Sequence, residues 1–238
     1  MDERIGFLGF GTMSSAIARG LLRGGHPAAR MGWYNPSLRY AERAASLGLG
    51  ARAEGAEALI ADSDVVFLGM KPQQAPMALM GLQHAFRPGQ VVVSMLAGLR
   101  VADLAQQLPQ GVAIVRVMPN TPVGIGEGVV GVVLGDQLEP GPRVRLMRLL
   151  EHLGDVVVVG EEQMDALTAV SGSGPAFVYR WMEAFGPHSD WVGVAFDSND
   201  DDRTGYWFAV NSLGSRMDVL ISGEGMEAFN STWDVVWN

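Results

Sequence analysis

The chain has 238 residues, of which 48% are hydrophobic and 18% are charged, which is typical of a folded protein and excludes an intrinsically disordered one. It contains no cysteine, which excludes disulfides, thiolate nucleophiles and thiolate metal ligands. The N-terminal residues lack the basic and long apolar regions of a secretory signal, and no apolar run could span a bilayer. We therefore expect a cytoplasmic protein with no membrane partner.

The net charge of −9 is unevenly distributed along the chain. Residues 1–186 carry 17 acidic and 15 basic side chains, whereas residues 187–238 carry nine acidic and two basic ones. Because neither part shows a basic stripe, nucleic acid is not expected as a partner. The difference in charge indicates that the two parts were shaped by different requirements.

Short apolar runs alternate with helix-like stretches over the first 160 residues. Because most runs are continuously apolar, they are typical of strands buried on both faces. Strands are predicted at residues 5–8, 31–34, 65–70, 91–96, 112–117, 129–134 and 156–159. Helices are predicted at residues 13–23, 38–47, 76–86, 101–108 and 142–153. This alternation predicts an α/β fold with a Rossmann-type, doubly wound and mostly parallel sheet.

A glycine pattern follows the first predicted strand and opens the first predicted helix. It consists of Gly9, Gly11, Thr12, Met13 and Ser14. Glycines permit a tight turn and close approach of the backbone, and a helix N-terminus offers amide donors to a pyrophosphate. The alternative is a glycine turn without a ligand. The position at the first strand–helix junction favours a dinucleotide site.

The second predicted strand ends at a turn that contains Asn35, Ser37 and Arg39. A site for NAD normally places a carboxylate here to bind the ribose 2′-hydroxyl, and none is present. We therefore expect these three residues to bind the 2′-phosphate of NADP, with NAD as an alternative cofactor. The other interpretation is a solvated turn in which Ser37 caps a helix.

The third and fourth predicted strands end at further candidate residues. Lys71, between Met70 and Pro72, is the chain's only lysine, and Ala97 and Gly98 follow the fourth strand. Ligands of open α/β sheets bind at the carboxyl ends of strands, so these positions suit a flat ring that approaches the backbone. A surface lysine and a plain tight turn are the alternatives.

The pattern changes after residue 160. Residues 161–186 are predicted as one further helix, interrupted by the sequence Ser-Gly-Ser-Gly-Pro-Ala at 171–176. Beyond it, short strands rich in aromatic and β-branched residues are predicted at 191–196, 205–210, 216–221 and 232–237. The sequence thus predicts a dinucleotide-binding domain at 1–160, a helical segment at 161–186 and a β-rich acidic tail at 187–238.

Three motifs together resemble the pyrroline-5-carboxylate reductase family. They are Met-Lys-Pro-Gln at 70–73, Arg-Val-Met-Pro-Asn-Thr-Pro at 116–122 and the segment at 167–179 that contains Ser-Gly-Ser-Gly-Pro-Ala. The resemblance covers residues 5–185. It implies an enzyme that reduces 1-pyrroline-5-carboxylate to L-proline with NADPH or NADH, the last step of proline biosynthesis. Hydroxyacid dehydrogenases, which have similar first domains, are a more distant alternative.

The resemblance also implies roles for individual residues. The pyrophosphate would be held by Gly9, Gly11, Thr12 and Met13, with Asn35 and Ser37 near the adenosine phosphate. The nicotinamide side would be lined by Met70, Lys71, Pro72, Ala97 and Gly98. The substrate would be bordered by Asn120, Ser171, Gly172, Ser173, Gly174 and Pro175. Such hydride transfer rests on orientation in a dry, polar pocket and needs no metal. The alternative for 171–175 is a helix kink with a serine cap.

The chain departs from the family after residue 186. In the family a helical domain follows that builds homodimers and higher oligomers, and its Ser-Pro-Gly-Gly-Thr segment completes the substrate pocket. That segment does not occur in this chain. Residues 188–238 instead resemble a fragment of a carbohydrate-binding-like β-sandwich module. Without the dimer helices we expect a monomer or an aggregate.

Two features of the tail could indicate ligand binding. Asp197, Asn199 and Asp201 have the alternate spacing of calcium ligands, but the loop glycine and the distal glutamate of an EF-hand are missing, so a solvated acidic turn is favoured. The tryptophans suit a buried core better than stacking on sugars. Two hypotheses for the whole chain remain: a working NADP-dependent imine reductase, or a truncated or fused protein that only binds dinucleotide.

Overall fold

The computed structural model describes residues 3–173, 191–196, 204–211, 216–222 and 229–230. The chain divides into two compact units, Met1–Pro175 and Ala176–Asn238. Within the described segments, no helix is long and apolar enough to cross a membrane.

A seven-stranded sheet forms the centre of the first unit. Its strands are β1 (Ile5–Leu8), β2 (Met31–Tyr34), β3 (Val65–Leu68), β4 (Val91–Ser94), β5 (Ala113–Pro119), β6 (Gly128–Leu134) and β7 (Gly154–Val158). They lie in the order β2-β1-β3-β4-β5-β6-β7. The first five strands are parallel, β6 runs antiparallel to β5, and β7 is parallel to β6. The predicted doubly wound, mostly parallel sheet is therefore confirmed, with its switch point between β1 and β3.

Short helices connect the strands. The α-helices are α1 (Thr12–Arg23), α2 (Ala41–Ser46), α3 (Ala56–Ala61), α4 (Ala75–Leu79), α5 (Val101–Ala105), α6 (Pro140–Glu151) and α7 (Met164–Leu167). Single 3₁₀ turns lie at Ala28–Arg30, Leu38–Tyr40, Pro72–Gln74, Gln83–Ala85, Thr121–Ile125 and Glu161–Gln163, and a π-helical turn lies at Thr168–Ser173.

Several helices differ from prediction. The helix predicted at 76–86 is divided, because the chain leaves helical geometry at Met80, where ψ is 124°, and turns at Gly81 with a left-handed φ of 80°. The helix predicted at 38–47 begins as a 3₁₀ turn, and α3 was not predicted. The helix predicted at 161–186 changes from 3₁₀ to α to π geometry within the described residues, and its remainder lies outside them.

The sheet is buried on both faces, which explains its continuously apolar strands. In β1, Phe7 contributes to the hydrophobic cluster on one face and Leu8 to the cluster on the other. The same division recurs in β3, where the Phe67 ring stacks on Phe7 with centroids 5.3 Å apart. Each fully buried side chain of this size contributes about 1.5–3 kcal/mol relative to an exposed one.

The described part of the second unit is a four-stranded antiparallel sheet. Its strands are β8 (Trp191–Phe196), β9 (Thr204–Asn211), β10 (Arg216–Ser222) and β11 (Phe229–Asn230), in the order β11-β10-β9-β8. The first three match the predicted strands. The strand predicted at 232–237 and the acidic run at 197–202 lie outside the described residues. The resemblance to a carbohydrate-binding module stays a prediction.

Candidate functional site

The glycine turn after β1 brings two strand ends into contact. Gly9 has a left-handed φ of 93°, and its amide donates to the Tyr34 carbonyl over 2.9 Å. A Cβ atom at Gly9 would lie 2.7 Å from the Gly69 carbonyl carbon and 2.8 Å from the Met70 nitrogen. Both the φ angle and this close approach require glycine. The turn after β1 therefore lies against the end of β3, at the switch point of the sheet.

The first turn of α1 presents free backbone donors at this edge. Gly11 is the N-cap residue and provides no side-chain cap, and the first turn contains no acidic residue. The amides of the first helical turn have no partner within the helix, and they carry its partial positive charge. The predicted residues Thr12 and Met13 begin this turn, so the structure places them where an anion can bind.

Ser14 has a role that the sequence pattern did not reveal. Its side chain is buried, and its hydroxyl donates to the Gly9 carbonyl over 2.7 Å. This bond fastens the glycine turn to the first turn of α1. The glycine pattern included Ser14 without indicating this bond.

The turn after β2 holds its predicted residues in a hydrogen-bonded arrangement. The Asn35 side-chain oxygen accepts from the Ser37 amide over 3.2 Å, and the Ser37 hydroxyl accepts from the Arg39 amide over 3.3 Å. Ser37 therefore caps the Leu38–Tyr40 turn, and because its hydroxyl acts only as an acceptor in this bond, the cap does not decide between the two interpretations of the turn. The Arg39 guanidinium donates to the Tyr40 hydroxyl and lies 4.6 Å from the centre of that ring.

Two further arginines, both missed by prediction, surround the end of β2. Arg43 extends from α2 and donates to the Thr12 hydroxyl over 3.3 Å. Arg52 donates to the Asn35 carbonyl over 3.0 Å, and its guanidinium lies 5.3 Å from the Tyr34 ring centre. With Arg39 they form a cationic border between β2 and the N-terminus of α1. The spacing of four residues between Arg39 and Arg43 suits one face of a helix and could have indicated this pair, whereas only the fold brings Arg52 to the same place.

The residues predicted at the ends of β3 and β4 share the same edge of the sheet. Lys71 is exposed, and its amide donates to the Gln74 side chain over 3.3 Å at the start of a 3₁₀ turn. Ala97 and Gly98 are exposed in the connection between β4 and α5. Since β3 and β4 are adjacent and parallel, these residues follow neighbouring strand ends.

Asn120 and Ser171, predicted from separate motifs, are in contact. The Asn120 side-chain oxygen accepts from the Val129 amide over 2.9 Å, which orients the amide group. Its nitrogen then donates to the Ser171 hydroxyl over 3.3 Å. Gly172 is exposed, and a Cβ there would lie 3.7 Å from the Met118 sulfur. The structure therefore joins the end of β5 to the π-helical turn.

The remaining predicted substrate residues are only partly described. Ser173 ends the π-helical turn, and Gly174 and Pro175 lie outside the described residues. Helical turns of the π type often occur at functional positions. The helix kink that was the alternative for 171–175 stays a prediction, since part of that range lies outside the described residues.

A buried ion pair joins the same two parts of the chain, β5 and the segment that begins at Glu161. The Arg116 side chain in β5 is 2% exposed and forms a salt bridge with Glu161. A second carboxylate, on Asp165, lies 3.8 Å from the Arg116 Nη2 atom. Prediction missed this pair, since nothing in the local pattern connects residues 45 positions apart.

Two clefts lie at the opposite edge of the sheet. One, of about 350 Å³, is lined by residues that include Glu3, Asp64 and Arg145. The other, of about 440 Å³, includes Arg4 and Arg30. They open near the amino ends of the strands, away from the glycine turn. Among the described residues, no group of three or more histidine or acidic side chains is arranged to hold a metal ion.

Two family models match the chain. One, described as "NADP oxidoreductase coenzyme F420-dependent", matches residues 4–98, which include the glycine turn and β1–β4. The other, described as "Pyrroline-5-carboxylate reductase dimerisation", matches residues 161–192, which include the π-helical turn.

Relatives matched over about two thirds or more of their own length agree with these family models. A pyrroline-5-carboxylate reductase of Pseudomonas aeruginosa is 35% identical over 194 residues, which cover 81% of this chain and 71% of the relative. One of Escherichia coli is 30% identical over 227 residues, or 94% of this chain and 82% of the relative. A crystal structure of Plasmodium falciparum pyrroline carboxylate reductase with NADP bound is 26% identical, has a TM-score of 0.70, and is matched over 77% of this chain and 68% of its own. The chain therefore belongs to the pyrroline-5-carboxylate reductase family.

Proposed function

We propose that the chain reduces 1-pyrroline-5-carboxylate to L-proline with a nicotinamide cofactor. The observation that carries the proposal is the Asn120–Ser171 contact, which joins the two substrate-side motifs at the edge of the sheet that bears the glycine turn. The reductases of Pseudomonas aeruginosa and Escherichia coli support the same activity. The small-molecule substrate and a cytoplasmic location follow from this proposal.

The residues present fit a dinucleotide. The Gly9 backbone packs closely against the end of β3, whereas the nearest atom to a Cβ at Gly11 would be the Gly69 carbonyl oxygen at 4.0 Å, so the turn is open at Gly11. The first turn of α1 offers its amides there to a pyrophosphate. We assign the pyrophosphate to Gly9, Gly11, Thr12 and Met13. Three arginines and no carboxylate at the β2 turn favour NADP over NAD, because a guanidinium binds phosphate in a bidentate manner. The NADP in the Plasmodium falciparum relative supports this preference.

The 2′-phosphate is assigned to the turn after β2. Asn35, Ser37 and Arg39 retain the predicted role, and we add Arg43 and Arg52 to it. The hydrogen bonds within the turn fix the Asn35 and Ser37 side chains before a ligand arrives. Such pre-ordering lowers the entropic cost of binding.

On the other side of the site, the chain orients the reacting rings. We assign Met70, Lys71, Pro72, Ala97 and Gly98 to the nicotinamide, which when bound supplies a hydride to the imine carbon. Asn120, Ser171, Gly172, Ser173, Gly174 and Pro175 are assigned to the substrate. The hydroxyl and amide groups of this second set suit a substrate carboxylate, and the protonated imine nitrogen makes the carbon electrophilic. The protein's contribution is to hold the two rings together and to exclude water.

A turnover assay tests the proposal. Purified full-length chain is mixed with NADPH and 1-pyrroline-5-carboxylate, the loss of NADPH absorbance is followed, and L-proline is identified by mass spectrometry. We expect NADPH loss that depends on both substrate and protein, with one proline formed per NADPH. NADPH binding without substrate-dependent oxidation would contradict the proposal.

A second candidate is a protein that binds dinucleotide without turnover. It is favoured by the change in charge and composition at residue 187, where the family's helical domain would continue. The chain also spans 71% of the length of the Pseudomonas aeruginosa relative and 68% of the Plasmodium falciparum one. The binding and turnover measurements above separate the two candidates.

The match to the dimerisation model at residues 161–192 supports an oligomer. This differs from the monomer or aggregate expected from the change in composition. Light scattering during size-exclusion chromatography decides between them, since a stable dimer doubles the mass of the 25.5 kDa chain.

A further inference from the structure

Arg116 is a charged residue in the middle of a buried sheet. It pairs with Ser94 of β4 and with Val133 of β6, so neighbouring strands flank it on both sides. Its side chain is 2% exposed. Burying a charge of this kind is costly unless a counter-charge accompanies it. The counter-charge comes from Glu161, which lies outside the sheet, at the start of the helical segment.

Glu161 uses both carboxylate oxygens, and each bonds a different element. One accepts from the Arg116 guanidinium in β5. The other accepts from the Val101 amide at the start of α5, over 3.1 Å. A single carboxylate thus joins β5, α5 and the Glu161–Gln163 turn.

Each of these three elements adjoins a residue assigned to the site. β5 ends at Pro119, next to Asn120, and α5 begins three residues after Gly98. The segment that begins at Glu161 continues through α7 into the π-helical turn, where Ser171 meets Asn120. The carboxylate therefore lies at the junction between the nicotinamide-side and substrate-side parts of the proposed site.

We propose that Glu161 and Arg116 are positioning residues that set the register of the π-helical turn against the end of β5, and so hold Ser171 at Asn120 for reduction of the substrate. The inference rests on the proposed function for its catalytic part. Neither side chain contacts the reacting atoms. The pair acts through placement, and small misplacements of reacting groups reduce rates strongly.

Asp64 provides a matched control. It too accepts from an arginine and from a backbone amide: Arg87 donates to it over 2.9 Å and the Arg4 amide over 2.9 Å. It lies before β3, at the opposite edge of the sheet, and is not assigned to the site. Glu161→Gln and Asp64→Asn each remove one carboxylate charge and keep the side-chain shape.

The variants are compared by three measurements: steady-state kinetics with 1-pyrroline-5-carboxylate, NADPH affinity, and hydrogen–deuterium exchange. For Glu161→Gln we expect kcat/KM to fall by at least about tenfold while the Kd for NADPH changes less than about twofold. Exchange should increase at residues 164–173 and at 120–129. Asp64→Asn should leave both segments and kcat/KM unchanged, and Arg116→Lys, which keeps the charge, should recover part of the activity lost in Arg116→Met.

Two results would overturn the inference. One is unchanged exchange at 164–173 and 120–129 in Glu161→Gln. The other is increased exchange in Glu161→Gln together with a kcat/KM equal to that of Asp64→Asn. The pair would then stabilise the fold without positioning the site. If the unaltered chain shows no turnover, the proposed function fails on its own, and the exchange comparison still decides whether the pair sets the register.

Discussion

Arg43 lies between the turn assigned to the pyrophosphate and the turn assigned to the 2′-phosphate. It contacts Thr12 in the first of these, and it extends from the helix that follows the second. For Arg43→Gln we expect the Kd for NADPH to rise about tenfold or more, because a hydrogen bond to a charged group contributes about 1.5–3 kcal/mol. The rise in the Kd for NADH should be smaller, because NADH lacks the 2′-phosphate. Fluorescence titration with NADPH and with NADH measures the two Kd values.

Arg143→Gln serves as the control for Arg43. Arg143 is exposed on α6, and its replacement removes the same charge without touching the assigned site. The affinity of the Arg143→Gln variant for NADPH should match that of the unaltered chain. Equal losses of NADPH and NADH affinity in Arg43→Gln would place the guanidinium on the pyrophosphate and contradict the assignment to the 2′-phosphate.

His26 makes stability depend on pH. Its side chain is 2% exposed, and neither ring nitrogen has a hydrogen-bond partner among the described residues. Burial lowers the pKa of His26 below its ordinary value of 6.5; the Glu3 charge opposes this shift, and the His152 and Arg30 charges add to it. The unfolded chain therefore takes up a proton at a higher pH than the folded chain does. The contribution of the neutral, buried His26 to the free energy of unfolding is therefore complete above pH 6.5. It decreases as the pH drops below 6.5, because the unfolded chain then binds the proton first.

For His26→Leu we expect a shallower loss of stability below neutral pH. A single proton changes the free energy of unfolding by at most about 1.4 kcal/mol per pH unit, so urea denaturation at about pH 7.5 and about pH 5 suffices to detect it. His84, with a side chain 67% exposed, supplies the control His84→Leu. An identical pH dependence in the two variants would show that His26 does not titrate as inferred.

At the scale of elements, α1 is held to the substrate side of the site by close packing at Gly20. A Cβ at Gly20 would lie 2.2 Å from the Val123 carbonyl oxygen and 2.7 Å from the Leu153 side chain. For Gly20→Ala we expect the free energy of unfolding to fall by about 1–3 kcal/mol, because overpacking against backbone exceeds the gain in helix propensity. Thermal denaturation followed by circular dichroism measures the change.

A glycine-to-alanine substitution in α6 is not expected to lower the free energy of unfolding. Gly141 is exposed near the start of that helix, and the nearest atom to its added Cβ would be an Arg145 side-chain nitrogen at 3.5 Å. Gly141→Ala should leave the protein equally stable or stabilise it by up to about 1 kcal/mol. If both substitutions stabilise, the contact between α1 and the Thr121–Ile125 turn is not as close as described.

The strands of the first sheet could be predicted from the sequence, whereas the contacts between distant elements could not. The seven strands of the first sheet were located because burial on both faces leaves continuous apolar runs, which need no knowledge of the partner strands. Contacts between distant residues left no such pattern. Ser14 bonds Gly9 within one turn, but Arg43 meets Thr12 across 31 positions and Arg116 meets Glu161 across 45. The motifs therefore indicated which residues to assign to the site, and only the fold shows which contacts hold those residues in place.

For the whole molecule, the described hydrophobic clusters belong to the first unit. Their buried members run from Ile5 to Met164, and α6 contributes Leu146, Leu149 and Leu150. A chain ended after residue 186 keeps all of them and every residue assigned to the cofactor. We therefore expect it to bind NADPH with a Kd within about twofold of that of the full chain, since burial of these clusters dominates its stability.

A chain ended after residue 138 is the matched comparison. It retains the glycine turn and the cationic border but loses α6 and β7, and with them four buried leucines, three in α6 and Leu153 just before β7. Removing a single buried leucine side chain costs about 2–5 kcal/mol, so losing four exceeds the stability of many domains. This shorter chain should neither fold nor bind NADPH. If the chain ended at 186 also fails to bind while remaining soluble, residues 187–238 support the first unit, and the division of the molecule at this point is wrong.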